Sequence, residues 1–211
     1  VRKWVPATAA ALAMVCGMGV ATGVAGTSVA QPLPPPSQDF VTRPDLNPPK
    51  LEITTPANEV SEGDLLTAPI PNATMGVGNK WNAAGEAGAL ITDNNGDPVW
   101  FQPSEPGTGI MDFTMQEYEG KPVLTWWQGK VIVPPGYGTG EGVILDQSYN
   151  QIATVNTGNG LQADIHDFQI TPQNTALLLA YHEVEADLSS VGGPKDGKVL
   201  EGVVQEVDIK T

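Results

Sequence analysis

Gly88-Ala89-Leu90-Ile91-Thr92-Asp93, Asn94-Asn95-Gly96-Asp97 and Pro98-Val99-Trp100-Phe101 follow one another without a break. The outer blocks are rich in β-branched, aromatic and other apolar residues. The middle block is a tight-turn former, and its Asn-Gly pair is expected to supply the positive backbone angles that hairpins need. The stretch reads as strand, turn, strand, and it directs the whole chain toward an all-β fold. Asp93, Asn95 and Asp97 also alternate as in a calcium loop. Against that, Pro98 stands where such a loop needs glycine, and no glutamate closes it at the twelfth position.

The same phrase recurs along the chain. Gly142-Val143-Ile144-Leu145-Asp146 and Val203-Val204-Gln205-Glu206-Val207-Asp208 are again apolar runs ending in aspartate, with Asp146 placed 53 residues after Asp93 and Asp208 a further 62 after Asp146. The first two copies run on into a second strand, Val99-Trp100-Phe101 or Gln151-Ile152-Ala153-Thr154-Val155. Repeats built of short strands point to propeller blades. Val123-Leu124-Thr125-Trp126-Trp127 reads as another strand. Ala176-Leu177-Leu178-Leu179-Ala180-Tyr181-His182-Glu183-Val184 has helix formers, yet it is short and follows the turn-like Thr171-Pro172-Gln173-Asn174, so it reads as a buried strand. Glycine occupies every second place in Gly136-Tyr137-Gly138-Thr139-Gly140-Glu141-Gly142. No Lys-Ser/Thr and no helix follow it, which excludes the common nucleotide loops and leaves a flexible loop between strands.

One of the two histidines lies in Gly158-Asn159-Gly160-Leu161-Gln162-Ala163-Asp164-Ile165-His166-Asp167-Phe168-Gln169-Ile170. If residues 163–170 are a regular strand, Asp164, His166, Phe168 and Ile170 share one face and Ile165 and Asp167 the other. His166 then points with the apolar residues, where a hydrogen-bonded core histidine and a reactive one are both open readings. Trp126 and Trp127 cannot share a strand face, so at least one belongs to the core, with packing or a binding platform as the alternatives.

The 211 residues carry one cysteine, Cys16, and a net charge of −14. Residues 1–30 begin with Arg2 and Lys3, continue without a charge from Trp4, and reach Ser28-Val29-Ala30, the small-residue spacing that a signal peptidase reads. They are expected to be an export signal, with an uncleaved anchor as the alternative. Cleavage would remove the cysteine and take the net charge to −16. A secreted or cell-envelope protein without disulfides must rely on a hydrophobic core. The dispersed negative charge excludes nucleic acid and anionic membrane surfaces as partners, the export signal aside. Residues 31–71 are proline-dense and read as a linker followed by an extended arm. Residues 72–211 then form the domain. Asn72-Ala73-Thr74 is a chance acceptor match for glycosylation.

With these blocks laid out, the chain resembles the arylsulfotransferase-like (ASST) family of secreted proteins. The resemblance runs from Thr42-Arg43-Pro44-Asp45-Leu46 through Gly120-Lys121-Pro122-Val123-Leu124-Thr125-Trp126-Trp127-Gln128-Gly129 and Gly158-Asn159-Gly160-Leu161, then the His166 stretch. It continues in Asp187-Leu188-Ser189-Ser190-Val191-Gly192-Gly193 and Gln205-Glu206-Val207-Asp208-Ile209. It implies a β-propeller of four-stranded antiparallel blades, of which residues 72–211 supply about two and the beginning of a third, as the N-terminal part of a longer protein. It also implies an aryl-sulfate sulfotransferase. A sulfuryl group passes from a phenolic sulfate to a phenol through a histidine, with no nucleotide donor and no other cofactor or metal. His166, in its Asp-x-His-Asp-Phe block, is the residue the resemblance marks as catalytic. His182 falls in no such block.

Chemically, a nucleophilic histidine needs an acceptor at its second nitrogen, and Asp164 or Asp167 could hold it. Sulfuryl transfer also needs cationic donors around the sulfate oxygens, by analogy with phosphoryl transfer. After the arm there is no arginine, and only Lys80, Lys121, Lys130, Lys195, Lys198 and Lys210 remain. A non-catalytic propeller that binds a ligand or a cell-envelope partner is therefore the alternative function.

Overall fold

The computed structural model describes residues 40–56, 58–70, 85–133 and 136–210. The export signal, the first residues of the Pro-rich segment, Lys80 and Asn72-Ala73-Thr74 lie outside them. Among the described residues ten strands succeed one another: β1 (Leu65–Thr67), β2 (Gly88–Thr92), β3 (Pro98–Pro103), β4 (Gly109–Tyr118), β5 (Lys121–Ile132), β6 (Tyr137–Leu145), β7 (Gln151–Val155), β8 (Ala163–Ile170), β9 (Thr175–Ala186) and β10 (Gly197–Asp208). A single 3-10 turn, Ser189–Val191, is the only helical element among the described residues. None of them forms a helix long and apolar enough to cross a membrane.

Every pairing is antiparallel, and the sheets do not close. β1, β2 and β3 make one sheet. The second runs β10-β9-β8-β6-β5-β4, with β7 also on β6. Only Gly140 opposite Ala163 joins β6 to β8, so the second sheet is in effect a meander of β4 to β7 and a meander of β8 to β10. Side chains from these two parts meet in one core, where Trp127, Ile144 and Val155 pack with Phe168 and Leu178. Ile91 and Ala89 of β2 pack with Phe113, Trp126 and Val143 on the other face of the β4–β7 meander. Leu90 and Phe101 turn outward to Leu46, Phe40 and Leu51 of the Pro-rich segment. Trp126 and Trp127 therefore lie on opposite faces of β5 and in different cores, as the period of two requires.

Three hairpin turns, β2–β3, β6–β7 and β8–β9, share one device. Asp93 N–H donates to Asp97 O at 2.9 Å, Gly96 N–H donates to Asp93 O at 3.1 Å, and the Asp93 carboxylate accepts the N–H groups of Asn95 and Asp97. Asp146 repeats this with Ser148, Tyr149 and Asn150. Thr171 repeats it through its hydroxyl with Gln173, Asn174 and Thr175. One residue in each turn is left-handed, Gly96 (φ 83°), Tyr149 (φ 62°) or Asn174 (φ 61°). The Asn-Gly pair thus supplies one positive angle, on Gly96, and the aspartate side chain does the rest. Residues 175–186 form β9, the strand expected over the competing helix.

The alternating glycines correct the sequence reading. Residues 137–145 are a strand, not a flexible loop. A Cβ on Gly138 would stand 2.6 Å from Trp127 Cζ2, one on Gly140 2.7 Å from Trp127 Cε2, and one on Gly142 2.8 Å from Phe168 Cε1. Glycine at every second place clears one face of β6 so that two large aromatic side chains can lie flat on its backbone.

Candidate functional site

β8 departs from a regular strand where the chemistry-bearing residues stand. Ala163 pairs with Ala180, but the next pair is Phe168 with Leu178, so residues 164–167 bulge from the ladder. The bulge undoes the expected sidedness. Asp164 has no exposed surface, whereas the His166 side chain is 50% exposed. His166 is thus not a core residue. The alternation that placed it with Phe168 assumed an unbroken period of two, which inserted residues abolish.

Asp164 organises the bulge. One carboxylate oxygen accepts the Gly138 N–H at 2.7 Å. The other accepts the His166 N–H at 3.2 Å and the His166 Nδ1–H. Three donors make a fully buried carboxylate tenable. The pairing fixes the His166 tautomer, with the proton on Nδ1 and a lone pair on Nε2, which has no hydrogen-bond partner among the described residues. Trp127 supports the same point from beneath, since its Nε1–H donates to Ala163 O at 2.9 Å.

β4 faces this bulge with an irregularity of its own. Its register with β5 shifts between Met111 and Thr114, and Asp112 sits there at φ 54°. Asp112 Oδ2 accepts the Phe168 N–H at 2.8 Å. Gln116 donates to Phe168 O at 2.8 Å and accepts the Ile170 N–H at 2.7 Å. Side chains of β4 therefore take the part of a backbone ladder for the second half of β8. Burial pushes the Asp112 carboxyl above its ordinary range, the Phe168 N–H opposes this, and the nearby Asp167 charge adds to the rise. Left-handed backbone on a non-glycine residue is costly and concentrates at functional sites.

Of the five residues singled out from sequence, Asp164 and His166 are brought together in one hydrogen-bonded pair. Asp167 is held apart, accepting from the Gln169 side chain at 2.9 Å. Trp126 and Trp127 are 4% and 0% exposed, so neither forms an open platform. Trp126 meets Trp100 at a tilt and Phe113 edge to face, and its Nε1–H donates to Gln128. Asp112 and Gln116 were missed, because their partners on β8 lie more than fifty residues away in sequence. Tyr181 and Tyr137 were missed as well. The His166 and Tyr181 rings meet edge to face at 6.5 Å, and Tyr137 meets Tyr181 likewise at 5.8 Å.

The described lysines and arginine that form ion pairs do so with carboxylates other than those of β8. Arg43 pairs with Asp45, Lys198 with Glu183 and Lys210 with Glu119. His182 faces Glu201 at 3.7 Å on the β9–β10 hairpin.

No curated protein and no solved structure matches the chain. The family model described as Arylsulfotransferase (ASST) matches residues 114–211. That stretch holds every block of the sequence resemblance except Thr42-Arg43-Pro44-Asp45-Leu46. Because it runs from within β4 to the end of β10 and contains the Asp164–His166 pair, the match supports assigning this chain to the ASST family.

Proposed function

We propose that this chain belongs to an exported aryl-sulfate sulfotransferase in which His166 carries the sulfuryl group. The observation that carries the reading is the Asp164–His166 pair, a buried carboxylate fixing the tautomer of a half-exposed imidazole. In the first step the Nε2 lone pair attacks the sulfur of a phenolic sulfate. The N–S bond forms as the bond from sulfur to the aryl oxygen breaks, and the phenolate leaves with that electron pair and takes a proton from solvent. The positive charge on the ring is held against Asp164 through Nδ1–H. In the second step the acceptor phenol, having given its proton to solvent, attacks the sulfur. The N–S electron pair then returns to Nε2.

The propeller belongs to this proposal. Its support is the grouping of antiparallel strands as β1–β3, β4–β7 and β8–β10, stacked through shared cores. Asp93 and Asp146 follow β2 and β6 and Asp208 ends β10, each accepting a backbone N–H two residues ahead. Export rests on residues 1–30, and sequencing the mature N-terminus checks it, with Gln31 expected first.

The test is transfer from 4-nitrophenyl sulfate to phenol, with His166→Asn beside the wild type. The variant keeps a polar side chain but no nucleophile, so turnover is lost by orders of magnitude while the protein stays folded.

A second reading is a non-catalytic propeller binding a ligand or cell-envelope partner. Asp112, Asp164 and Asp167 make the surroundings of His166 acidic, and no described lysine or arginine is paired with them. A folded wild type that transfers sulfate to no phenol would leave this reading in place.

A further inference from the structure

We propose that Tyr181 and Tyr137 form the wall that grips the aryl ring of the substrate beside His166. The proposal rests on the transferase reading and deepens it by naming the residues that select an aromatic group over an alkyl one. β6, β8 and β9 each contribute one ring, and the three rings form a continuous run. Tyr137 stands edge to face on Tyr181 at 5.8 Å and 68°, and Tyr181 stands edge to face on His166 at 6.5 Å and 85°.

Two aspects set this run apart from ordinary core aromatics. Tyr181 is 38% exposed and the His166 side chain 50%, so both present surface to a ligand, whereas Trp126 and Trp127 present almost none. Neither tyrosine hydroxyl has a hydrogen-bond partner among the described residues. The Tyr181 ring and hydroxyl are therefore both within reach of a ligand.

The floor of the run is fixed. Gly138, next to Tyr137 on β6, is locked by its N–H to Asp164 and by the Ile165 and Trp127 side chains that fill the place of its Cβ. A phenyl group laid against Tyr181 in an offset or edge-to-face arrangement would stand beside the half-exposed imidazole, the placement that in-line attack on an attached sulfate requires. The free hydroxyls of Tyr137 and Tyr181 are donors for sulfate or phenol oxygens.

The experiment measures binding of 4-nitrophenol alone to the wild type, Tyr181→Ala, Tyr137→Ala and Tyr181→Phe by calorimetry, with thermal melts confirming that each is folded. Without a sulfate donor no transfer occurs, so binding is read apart from chemistry. The wild type should bind, Tyr181→Ala should weaken binding about tenfold, and Tyr181→Phe should retain most of it. In transfer assays Tyr181→Ala should raise KM for 4-nitrophenyl sulfate more than it lowers kcat. Binding that depends on Tyr181 in a protein with no transferase activity would support the wall and remove the transferase reading. Transfer with KM and phenol affinity unchanged in folded Tyr181→Ala and Tyr137→Ala would overturn the wall and leave the transferase reading intact. Absence of 4-nitrophenol binding by the folded wild type would also overturn it.

Discussion

The Asp164 carboxylate holds both His166 Nδ1 and the Gly138 N–H, so the orientation of a half-exposed imidazole on β8 is fixed by a backbone group of β6. This one buried group makes the β8 bulge and the His166 side chain a single structural unit.

Asp164→Asn separates orientation from tautomer. The amide oxygen can keep the Gly138 N–H, but its NH2 then donates to His166 Nδ1 and drives the imidazole proton to Nε2. The nucleophilic lone pair is lost, and kcat should fall by roughly 10³–10⁴, the loss that a wrong tautomer causes in serine-protease triads. Stability should fall by only about 1–3 kcal/mol. A variant with near wild-type kcat would show that Asp164 does not set the tautomer.

Asp112 makes stability depend on pH in a stated direction. Its folded carboxyl is raised above the unfolded value, chiefly by burial. As pH climbs through the interval between the two, the unfolded state is already ionised while the folded state still holds its proton, so this group's contribution to stability declines. Asp112→Asn keeps an acceptor for the Phe168 N–H and tolerates the left-handed backbone. The melting temperature of the variant minus that of the wild type should therefore grow between about pH 3 and pH 7. A difference constant over that range would contradict the burial of the Asp112 charge.

Gly138→Ala tests whether β6 must be bare. The added Cβ would lie 2.2 Å from Ile165 Cγ2 and 2.6 Å from Trp127 Cζ2, so side chains packed on β6 would have to shift. Denaturant unfolding should show a loss of about 1–3 kcal/mol, the usual cost of overpacking. Because Ile165 is a neighbour of both Asp164 and His166, transfer activity should fall as well. An unchanged midpoint would mean that Trp127 is free to move.

The turn carboxylates should behave alike. Asp93 and Asp146 are held below the ordinary carboxylate range, with the N–H of Asp97 and of Asn150 as the largest causes. Their contribution is present above the unfolded pKa and is lost as pH falls through the lower folded value. Asp93→Ala and Asp146→Ala should each lower the melting temperature at neutral pH and less at acid pH. Asp93→Asn should cost less than Asp93→Ala, since its amide oxygen still accepts. Thermal melts of the set at two pH values decide it.

Local chemistry made much of this fold readable. The Asp93 and Thr171 turns, the strands on either side of them and the strand nature of residues 175–186 follow from turn residues and apolar runs. What escaped depends on residues distant in sequence. Glycine signals either a loop or a close approach, and only Trp127 and Phe168 lying on β6 decide for the second. His166 was placed on the wrong face because a period of two has no knowledge of inserted residues. Asp112 gives no signal in sequence, since nothing near it hints at a contact with the Phe168 N–H, 56 residues away.

The proposed transfer runs through a sulfuryl group on His166 Nε2. Its most direct test is to mix the protein with 4-nitrophenyl sulfate, quench at alkaline pH to preserve an N–S bond, and examine the peptide containing His166 by mass spectrometry. One SO3 group on His166, formed with release of 4-nitrophenol and discharged when phenol is added, is the predicted result. Transfer to phenol at the wild-type rate by a folded His166→Asn variant, or an SO3 group found on another residue and discharged by phenol, would contradict it.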